Sequence, residues 1–174
     1  EYKKTIFTRE EVRHIIKESG ETGVLADGEH KLLHRVFELN DKFAKEVMVP
    51  RNKIVAINAD MGQDDIVRII TEEGHTRYPV YRHSIDNVIG IIHSKAIINM
   101  LINNPLFVLE DLMMEPYFVP EDKEISKILA EFQQKGLHIA IVRDAQGSVS
   151  GLVQIKDILK VIFGELTEKT IPDL

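Results

Sequence analysis

One pattern of elements occurs twice along this chain, once between Met48 and Ile98 and again between Met114 and Leu159. Each copy holds a Met-x-Pro segment, a short apolar stretch, an amphipathic stretch that ends at glycine, a second apolar stretch, and a glycine that leads through apolar residues to a lysine. The matched positions are Pro50 with Pro116, Gly74 with Gly136, Val80 with Val142, Gly90 with Gly151 and Lys95 with Lys156, at offsets of 66, 62, 62, 61 and 61. Offsets that shrink this slowly indicate a duplicated structural unit rather than chance composition.

The periodicity of each copy predicts the order β-α-β-β-α. A unit of about 50 to 60 residues is marginally stable alone, and a sheet with helices on one face leaves its other apolar face uncovered. We therefore predict an α+β fold in which two β-α-β-β-α repeats bury their bare sheet faces against each other as a pseudo-twofold pair, after N-terminal helices. The predicted divisions are a helical linker over residues 1–44, repeat 1 over 45–104, repeat 2 over 105–166 and a tail over 167–174 that leads toward a domain outside this sequence.

Local signals predict where the elements lie. Thr8 with Glu11 forms a capping box for a first helix, with a break at residues 20–23, and a second helix covers 27–39. In repeat 1 we predict strands at 54–57, 78–81 and 88–92, and helices from Asp60 to Gly74 and over 94–101. In repeat 2 we predict strands at 117–119, 139–142 and 149–153, a helix that stops at Gly136, and a last helix over 157–164. Clefts are expected where the two sheets meet, because small ligands favour such concave junctions.

Composition and missing motifs argue against several classes of function. The net charge of −6 and the absence of a basic stripe argue against nucleic-acid binding. No apolar run approaches the ~18 residues of a membrane span, and the lack of cysteine removes disulfides and thiolate metal sites. Gly147-Ser-Val-Ser-Gly151 shares only its outer glycines with a nucleophile elbow, because Val149 occupies the nucleophile position. We predict that the chain is not an enzyme and, since it opens at Glu1 without a methionine, that it is part of a longer protein.

Four segments carry a resemblance to a known family. They are GHTRYPVY at residues 74–81 and IGIIHSK at 89–95 in repeat 1, and HIAIVRD at 138–144 and GSVSGLV at 147–153 in repeat 2. Together they resemble the CorC/HlyC family of tandem cystathionine-β-synthase (CBS) domain pairs, or Bateman modules, which is related to the cyclin-M-like magnesium transport mediators. The segment KEVMVPR at 45–51 resembles the linker of that family, so the resemblance covers the chain from about Thr8 to Leu166.

The resemblance implies a regulatory role. In that family the CBS pair lies on the cytoplasmic side, between an N-terminal membrane domain and a small C-terminal domain, and senses adenine nucleotides, often with magnesium. The resemblance therefore implies a homodimer through the CBS pairs, an adenosine nucleotide such as AMP, ADP or ATP as the small-molecule partner, and Mg²⁺ only through the nucleotide. It also implies a membrane domain of the same full-length chain that transports or exports magnesium or cobalt.

The family's nucleotide pattern, Gly-apolar-apolar-Thr/Ser-x-x-Asp, is only half kept. A hydroxyl at a helix start donates to phosphate, while the Asp carboxylate accepts from ribose hydroxyls. Repeat 1 has Ala96 in place of that Asp, and repeat 2 keeps Asp157 but has Gln154 in place of the hydroxyl residue. Asp157 is therefore the predicted ribose-binding residue, with a purely structural role at the helix N-terminus as the alternative.

The resemblance adds two loops to the predicted nucleotide site, and the recurrence of Lys95 as Lys156 in the second repeat adds a lysine. The predicted residues are Thr76, Arg77, Tyr78 and Pro79 in repeat 1, and His138, Ile139, Ala140, Gln154, Lys156 and Asp157 in repeat 2. Arg77 suits a phosphate, with an exposed surface cation as the alternative. Tyr78 and Pro79 fit either the adenine side of the site or simple packing and a turn. The alternatives for His138 and Lys156 are a hydrogen-bonded polar group before a strand and a solvent-exposed helix lysine.

A second hypothesis follows from Ala96 and Gln154: a degenerate pair that binds no nucleotide and serves as a dimerisation scaffold. Its interface would be a bare apolar helix face made by Ile97, Ile98 and Leu101. No metal site is predicted. His30 and His34 have the i, i+4 spacing of zinc ligands, but no cysteine or carboxylate set completes the coordination, so a solvated helix face is expected.

Overall fold

The computed structural model describes residues 7–103 and 108–164, so the predicted tail at 167–174 lies outside the described residues. The helices are α1 (Arg9–Glu21), α2 (Asp27–Leu39), α3 (Ala44–Val47), α4 (Gln63–Glu73), α5 (Ser94–Asn103), α6 (Ile125–Lys135) and α7 (Ile155–Phe163). The strands are β1 (Val49–Pro50), β2 (Ile57–Asn58), β3 (Arg77–Arg82), β4 (Ser84–His93), β5 (Phe118–Pro120), β6 (Ile139–Arg143) and β7 (Val149–Gln154). Within the two described ranges, every helix is too short or too polar to cross a membrane.

Local sequence signals explain where several helices begin and end. The capping box of Thr8 with Glu11 is present at the start of α1, as predicted. Gly74 ends α4 and Gly136 ends α6, and both adopt the left-handed conformation, with φ of +64° and +65°. Glycine is the residue that reaches this conformation without strain, so both helix ends follow from the sequence.

One predicted helix boundary is wrong and another is confirmed. Asp60 does not cap α4, whose N-cap is Gly62. The Asp60 N–H instead bonds to the side-chain oxygen of Asn58 at 3.0 Å, which holds Asp60 in a turn ahead of the helix. The break predicted at residues 20–23 is present, since α1 ends at Glu21 and Gly23 adopts the left-handed conformation, with φ of +74°.

The two sheets repeat one topology, which confirms the predicted pseudo-twofold α+β fold. In repeat 1, β2 is parallel to β3 and β3 is antiparallel to β4. In repeat 2, β5 is parallel to β6 and β6 is antiparallel to β7. The predicted strand at 54–57 is displaced, since a 3-10 turn covers Arg51–Lys53 and β2 begins at Ile57. Residues 84–87 extend β4, and the chain reverses at His83, which has a φ of +66°.

Each sheet pairs with a short segment that lies just ahead of the other repeat in the sequence. The strand β1, just ahead of repeat 1's own strands, adds to the edge of the repeat 2 sheet, with Val49 paired antiparallel to Leu152. In the reciprocal position, Met114 forms an antiparallel bridge with Ile91 of β4 through hydrogen bonds of 2.8 and 2.9 Å. The structure therefore matches Val49 with Met114, an offset of 65, rather than the offset of 66 given by the two prolines.

Buried apolar side chains form three clusters. The repeat 1 cluster contains Ile57, Ile66, Ile70, Tyr78, Val80, Ile92, Ile97 and Leu109. The repeat 2 cluster contains Leu39, Ala44, Val119, Ile125, Ile128, Phe132, Ala140, Val142, Val153 and Ile158. The third cluster joins both sheets and contains Val88, Ile91, Ile139, Ile141, Val149 and Leu152. The bare sheet faces are thus buried against each other as predicted, and apolar side chains fill the centre of the seam between the repeats.

The N-terminal linker docks on repeat 2. Leu39 at the end of α2 and Ala44 at the start of α3 are buried in the repeat 2 cluster. The Ala44 N–H bonds to the Lys123 carbonyl at 2.8 Å, and the Ile125 N–H bonds to the Lys42 carbonyl at 3.0 Å. The helix α2 also packs along α7, the last described helix. The linker is therefore part of the repeat 2 core.

Candidate functional site

The starts of α5 and α7 define the candidate site, because each helix begins directly after the last strand of its repeat. The first N–H of α5, on Ser94, bonds to the Thr76 carbonyl at 2.9 Å. The first N–H of α7, on Ile155, bonds to the His138 carbonyl at 3.0 Å. The two predicted loops, at Thr76 and at His138, are therefore each tied to a helix N-terminus, where backbone N–H groups favour anions.

Asp157 lies in the first turn of α7 with only 10% of its side chain exposed. Its carboxylate accepts a hydrogen bond from the Gln154 N–H at 3.0 Å and lies 3.8 Å from the Lys160 ammonium. Burial raises the pKa of Asp157, while the Gln154 N–H, Lys160 and Lys156 act in the opposite direction. Asp157 therefore has a structural role at the helix start, and its second carboxylate oxygen makes no close hydrogen bond to any residue that the structure describes.

The neighbours of Asp157 in the nucleotide pattern differ in exposure. Gln154 is half-buried at the N-cap of α7, in an extended conformation, and Lys156 is exposed. Ala96 occupies the position in α5 that corresponds to Asp157, and it brings no hydrogen-bond acceptor. The two helix starts are thus chemically unequal, and only the one in repeat 2 carries a carboxylate suited to a ribose.

Arg77 is half-buried at the start of β3, next to the exposed Thr76, and is paired across the sheet with His93 at the end of β4. Burial lowers the pKa of Arg77. Among the residues that the structure describes, no ion pair includes Arg77, whereas Arg9, Arg13, Arg51, Arg68 and Arg82 all pair with carboxylates. A half-buried guanidinium without a carboxylate is suited to an anionic ligand.

Four predicted residues have buried side chains. Tyr78 is completely inaccessible, and its hydroxyl accepts a hydrogen bond from the His75 N–H at 2.9 Å. Pro79 is also buried, while Ile139 packs in the cluster between the sheets and Ala140 packs in the repeat 2 core. In this arrangement, a ligand would meet these residues through their main-chain atoms.

His93 is a residue that sequence reasoning missed. The pKa of His93 is lowered, first by burial and then by the charges of Arg77, Lys95 and His138. The pKa of His138 is lowered by burial and by the charge of Arg77. Arg77, His93 and His138 therefore interact electrostatically, with Arg77 as the charged member, and both repeats contribute to the group. The signal was present in the sequence, since His93 precedes Gln154 by the same offset of 61 that relates Gly90 to Gly151.

Two clefts lie away from these residues. One, of about 680 Å³, is lined by Arg51, Asn52, Ile54, Ala56, Tyr81, His83, Ser84 and Ile85. The other, of about 420 Å³, lies between α1 and α2 and includes His14, His30 and His34. His30 is half-buried, not solvated as expected, since its ring packs on Gly20. Across 7–103 and 108–164, no group of three or more histidines and carboxylates is arranged to hold a metal ion.

Comparison with known families identifies this architecture. The family model for the CBS domain matches residues 44–103 and 109–164. The chain therefore belongs to the CBS-domain family as a tandem pair, and within it to the pairs of the CorC/HlyC group.

Curated relatives match nearly the whole chain. It is 36% identical over 167 residues to the UPF0053 protein YrkA of Bacillus subtilis, covering 93% of this chain and 38% of YrkA. It is 33% identical over 162 residues to the magnesium and cobalt efflux protein CorC of Pasteurella multocida, covering 92% of this chain and 54% of that protein. The chain thus spans between about a third and about half of the length of these relatives.

Solved structures share the same architecture. The CBS domain of a bacterial CNNM/CorC family Mg²⁺ transporter in complex with the inhibitor IGN95a matches with a TM-score of 0.87 and 29% identity, over 92% of this chain and all of that chain. The CBS domain of such a transporter in complex with ATP matches with a TM-score of 0.75 and 31% identity, over 79% and 99% of the two chains. A CBS-domain pair with bound AMP from Klebsiella pneumoniae matches with a TM-score of 0.63 and 34% identity, over 70% and 98%.

Proposed function

We propose that this chain is a regulatory CBS pair that binds an adenosine nucleotide and controls a membrane domain for magnesium or cobalt transport in the same full-length protein. The observation that carries the proposal is the half-buried Arg77, which has no ion pair within the described ranges and lies beside histidines of both repeats. The likeness to CBS pairs that hold ATP or AMP supports the same ligand class. The module would lie on the cytoplasmic side of the membrane.

The phosphates and the ribose of the nucleotide are assigned to different residues. The phosphates are assigned to Arg77 and the neighbouring helix starts, where guanidinium and backbone N–H groups attract anions. The ribose is assigned to Asp157, whose carboxylate can accept from sugar hydroxyls. Thr76, Tyr78 and Pro79 remain the predicted adenine-side residues, and Ile139 and Ala140 of the matching loop remain predicted nucleotide contacts, mostly through their main chain. Mg²⁺ would enter only with the nucleotide phosphates, since these carry the oxygen ligands that it prefers.

The route from the ligand to the membrane domain is assigned to the linker. The helix α7, which starts at the site, packs along α2, and α2 leads back toward the N-terminal end of the chain. A ligand that favours one position of α7 would shift the position of α2, provided that its affinity differs between the two arrangements. No chemical reaction is part of this proposal.

Binding is tested by calorimetry and thermal melting with AMP, ADP and ATP, each with and without Mg²⁺. Asp157→Asn keeps an oxygen that can accept from the Gln154 N–H, so it separates ligand binding from helix capping better than Asp157→Ala does. We expect saturable binding that Asp157→Asn weakens by about tenfold, because a hydrogen bond to a charged group contributes ~1.5–3 kcal/mol. Asp65→Asn, on the outer face of α4, serves as the matched control. No heat and no melting shift at millimolar nucleotide would contradict the proposal.

A dimerisation scaffold is the second candidate function, favoured by exposed apolar side chains on α5. Ile98 is 47% exposed and Ile102 is 75% exposed. Ile97, also expected on that face, is instead 1% exposed in the repeat 1 core, because it lies one position around the helix from Ile98. Light scattering on the unmutated chain and on Ile102→Glu tests this candidate. Association that Ile102→Glu abolishes, with no response to any nucleotide, would favour the scaffold over the sensor.

A further inference from the structure

We infer that nucleotide binding to this module takes up a proton at His138, with Arg77 and His93 completing one phosphate site that spans both repeats. The inference rests on the proposed function and deepens it, because it names the part of the nucleotide that the site reads and a condition that regulates it. The module would respond to acidification as well as to nucleotide, and would favour ligands with more negative charge.

Repeat 1 contributes Arg77 and His93 to the site, and repeat 2 contributes His138. Arg77 and His93 are partners across the antiparallel β3–β4 pair, so their side chains leave adjacent positions at one end of the repeat 1 sheet. His138 stands directly before β6, and its carbonyl holds the first N–H of α7 at 3.0 Å. All three residues are half-buried. Ile91 of β4 and Ile139, directly after His138, pack in the cluster that joins the two sheets, so the end of β4 and the start of β6 meet at one seam. A phosphate bound there would meet a guanidinium, two imidazoles and a helix N-terminus.

His93 is preset as a neutral hydrogen-bond donor. Its Nδ1 accepts a hydrogen bond from the Lys95 N–H at 3.1 Å. That bond requires Nδ1 to be unprotonated, so the ring proton lies on Nε2, where it can donate to an anion. Protonation of His93 would break the bond to Lys95, so His93 is assigned the role of a donor and not of a proton acceptor.

His138 is the group that can take up a proton. The backbone of Gly136 favours the protonated form of the His138 ring. Burial and the positive charge of Arg77 oppose protonation and together lower the pKa of His138 in the free protein. A bound phosphate would offset the charge of Arg77 and stabilise the imidazolium, so the pKa of His138 would rise when the ligand binds.

The other charged groups around the cluster do not supply a competing anion. Lys95 on α5 is exposed and adds positive charge, as does the exposed Lys156 on α7. The carboxylate in the first turn of α7, Asp157, accepts the Gln154 N–H and lies 3.8 Å from the Lys160 ammonium. The negative charge of Glu73, at the end of α4, raises the pKa of Tyr78. Within residues 7–103 and 108–164, Arg77, His93 and His138 take part in no ion pair.

The test is calorimetry of AMP and ATP binding to the 174-residue chain near neutral pH, in PIPES, HEPES and Tris buffers that differ in ionisation enthalpy. The dependence of the binding heat on the buffer gives the number of protons taken up. We expect the unmutated chain to take up as much as about one proton more per site than His138→Gln, a difference that cancels the titration of the nucleotide itself. Affinity should rise as pH falls, by about tenfold for each unit by which binding raises the pKa.

Two further variants separate the role of His93 as a donor from the role of His138 as a proton acceptor. His93→Gln should weaken binding of AMP and ATP, while proton uptake at saturating ligand persists. His34→Gln, an exposed histidine on α2, should change neither quantity. Adenosine, which lacks phosphates, should bind without the extra proton uptake.

The experiment distinguishes failure of this inference from failure of the proposed nucleotide binding. Saturable nucleotide binding with equal proton uptake in the unmutated chain and in His138→Gln would overturn this inference and leave nucleotide sensing intact. Absence of any binding would remove both. Histidine ring NMR on the unmutated chain covers the case in which a variant fails to fold, because it follows the pKa of His138 directly with and without ATP. A pKa that ATP does not raise would also overturn the inference.

Discussion

Arg51, in the turn after β1, and Asp86, in β4, form a two-pronged ion pair in which Nη2 and Oδ2 lie 2.9 Å apart and Nη1 contacts Oδ1. The same carboxylate accepts the Val149 N–H at 2.8 Å, and Arg51 donates to the Val149 carbonyl at 2.7 Å. Three segments therefore meet at one polar group: the connecting turn, the repeat 1 sheet and the repeat 2 sheet. Arg51 and the Val149 N–H hold the pKa of Asp86 far below its usual range.

Asp86→Asn should lower the midpoint of thermal unfolding at pH 7, because it removes the charge that Arg51 pairs with. Since the folded-state pKa of Asp86 lies below the ordinary value of 3.8, its stabilising effect is present above that value and is lost as pH falls through the folded pKa. The gap between the two proteins should therefore shrink at pH values below about 3.8. Asp65→Asn, which breaks an exposed pair with Arg68 within one helix, should change the midpoint little. A gap that does not change with pH would contradict this account.

Glycines hold the two exchanged segments in place, and replacing them tests the exchange. A Cβ on Gly151 would lie 2.5 Å from Met48 Sδ and 2.6 Å from the Val49 carbonyl oxygen. A Cβ on Gly90 would lie 2.6 Å from Met113 Sδ. Gly151→Ala should lower the free energy of unfolding by about 2–3 kcal/mol, as overpacking does when main chain must shift. Gly90→Ala should cost about 1 kcal/mol, because it meets a side chain instead of a backbone atom.

Urea unfolding measures both glycine changes, with Gly28→Ala as the control. Gly28 lies in α2, where a Cβ would meet no atom within 4 Å, so its replacement should be neutral or slightly stabilising. Equal, negligible effects at Gly151 and Gly28 would mean that β1 does not pack on β7 in solution.

The repeats were predictable because their signals are local. Gly74 and Gly136 each predict a helix end from the residue type alone, and the regular offset between matched positions indicates the duplication. The exchange of β1 was not predictable, since the two-residue strand Val49–Pro50 carries no pattern that says which sheet it joins. The same holds for the cap of α4, since Asp60 lies in a turn in which its N–H donates to the Asn58 side-chain oxygen, and Gly62 takes the N-cap position.

The site was predictable only in part. The helix start with Asp157 and the loop with Arg77 follow from their likeness to a known pattern. His93 escaped because it stands at the hydroxyl position of the pattern, where a histidine matches neither Thr nor Ser, and its interaction with His138 depends on how the two repeats pack. The burial of Tyr78 and Ala140 is likewise a result of packing, which composition and spacing do not reveal.

The docking of the linker predicts a contrast between two leucines of one helix. Leu39 is 7% exposed and packs in the repeat 2 core, whereas Leu32 is 40% exposed. Leu39→Ala should lower the free energy of unfolding by about 2–3 kcal/mol, because it leaves a cavity. Leu32→Ala should stay within about 0.5 kcal/mol of the unmutated chain. Urea titration gives both values, and an unaffected Leu39→Ala would show that α2 is not part of the folded core.

The histidine pair predicts how the ligand-free protein responds to mild acid. In the folded state the pKa values of His93 and His138 lie below the ordinary 6.5, chiefly through burial, so the folded protein binds fewer protons than the unfolded chain does in that range. Stability then rises with pH through the window between the folded-state values and 6.5, and it is lost as pH falls through that window. Replacing both histidines by glutamine should flatten this part of the profile, whereas His34→Gln should not. The measurement is the urea midpoint between pH 5 and 8. A double variant whose midpoint changes with pH as steeply as that of the unmutated chain would assign the acid sensitivity to other groups.

ATP should restore part of the stability lost in acid, since its phosphates offset the positive charge around Arg77.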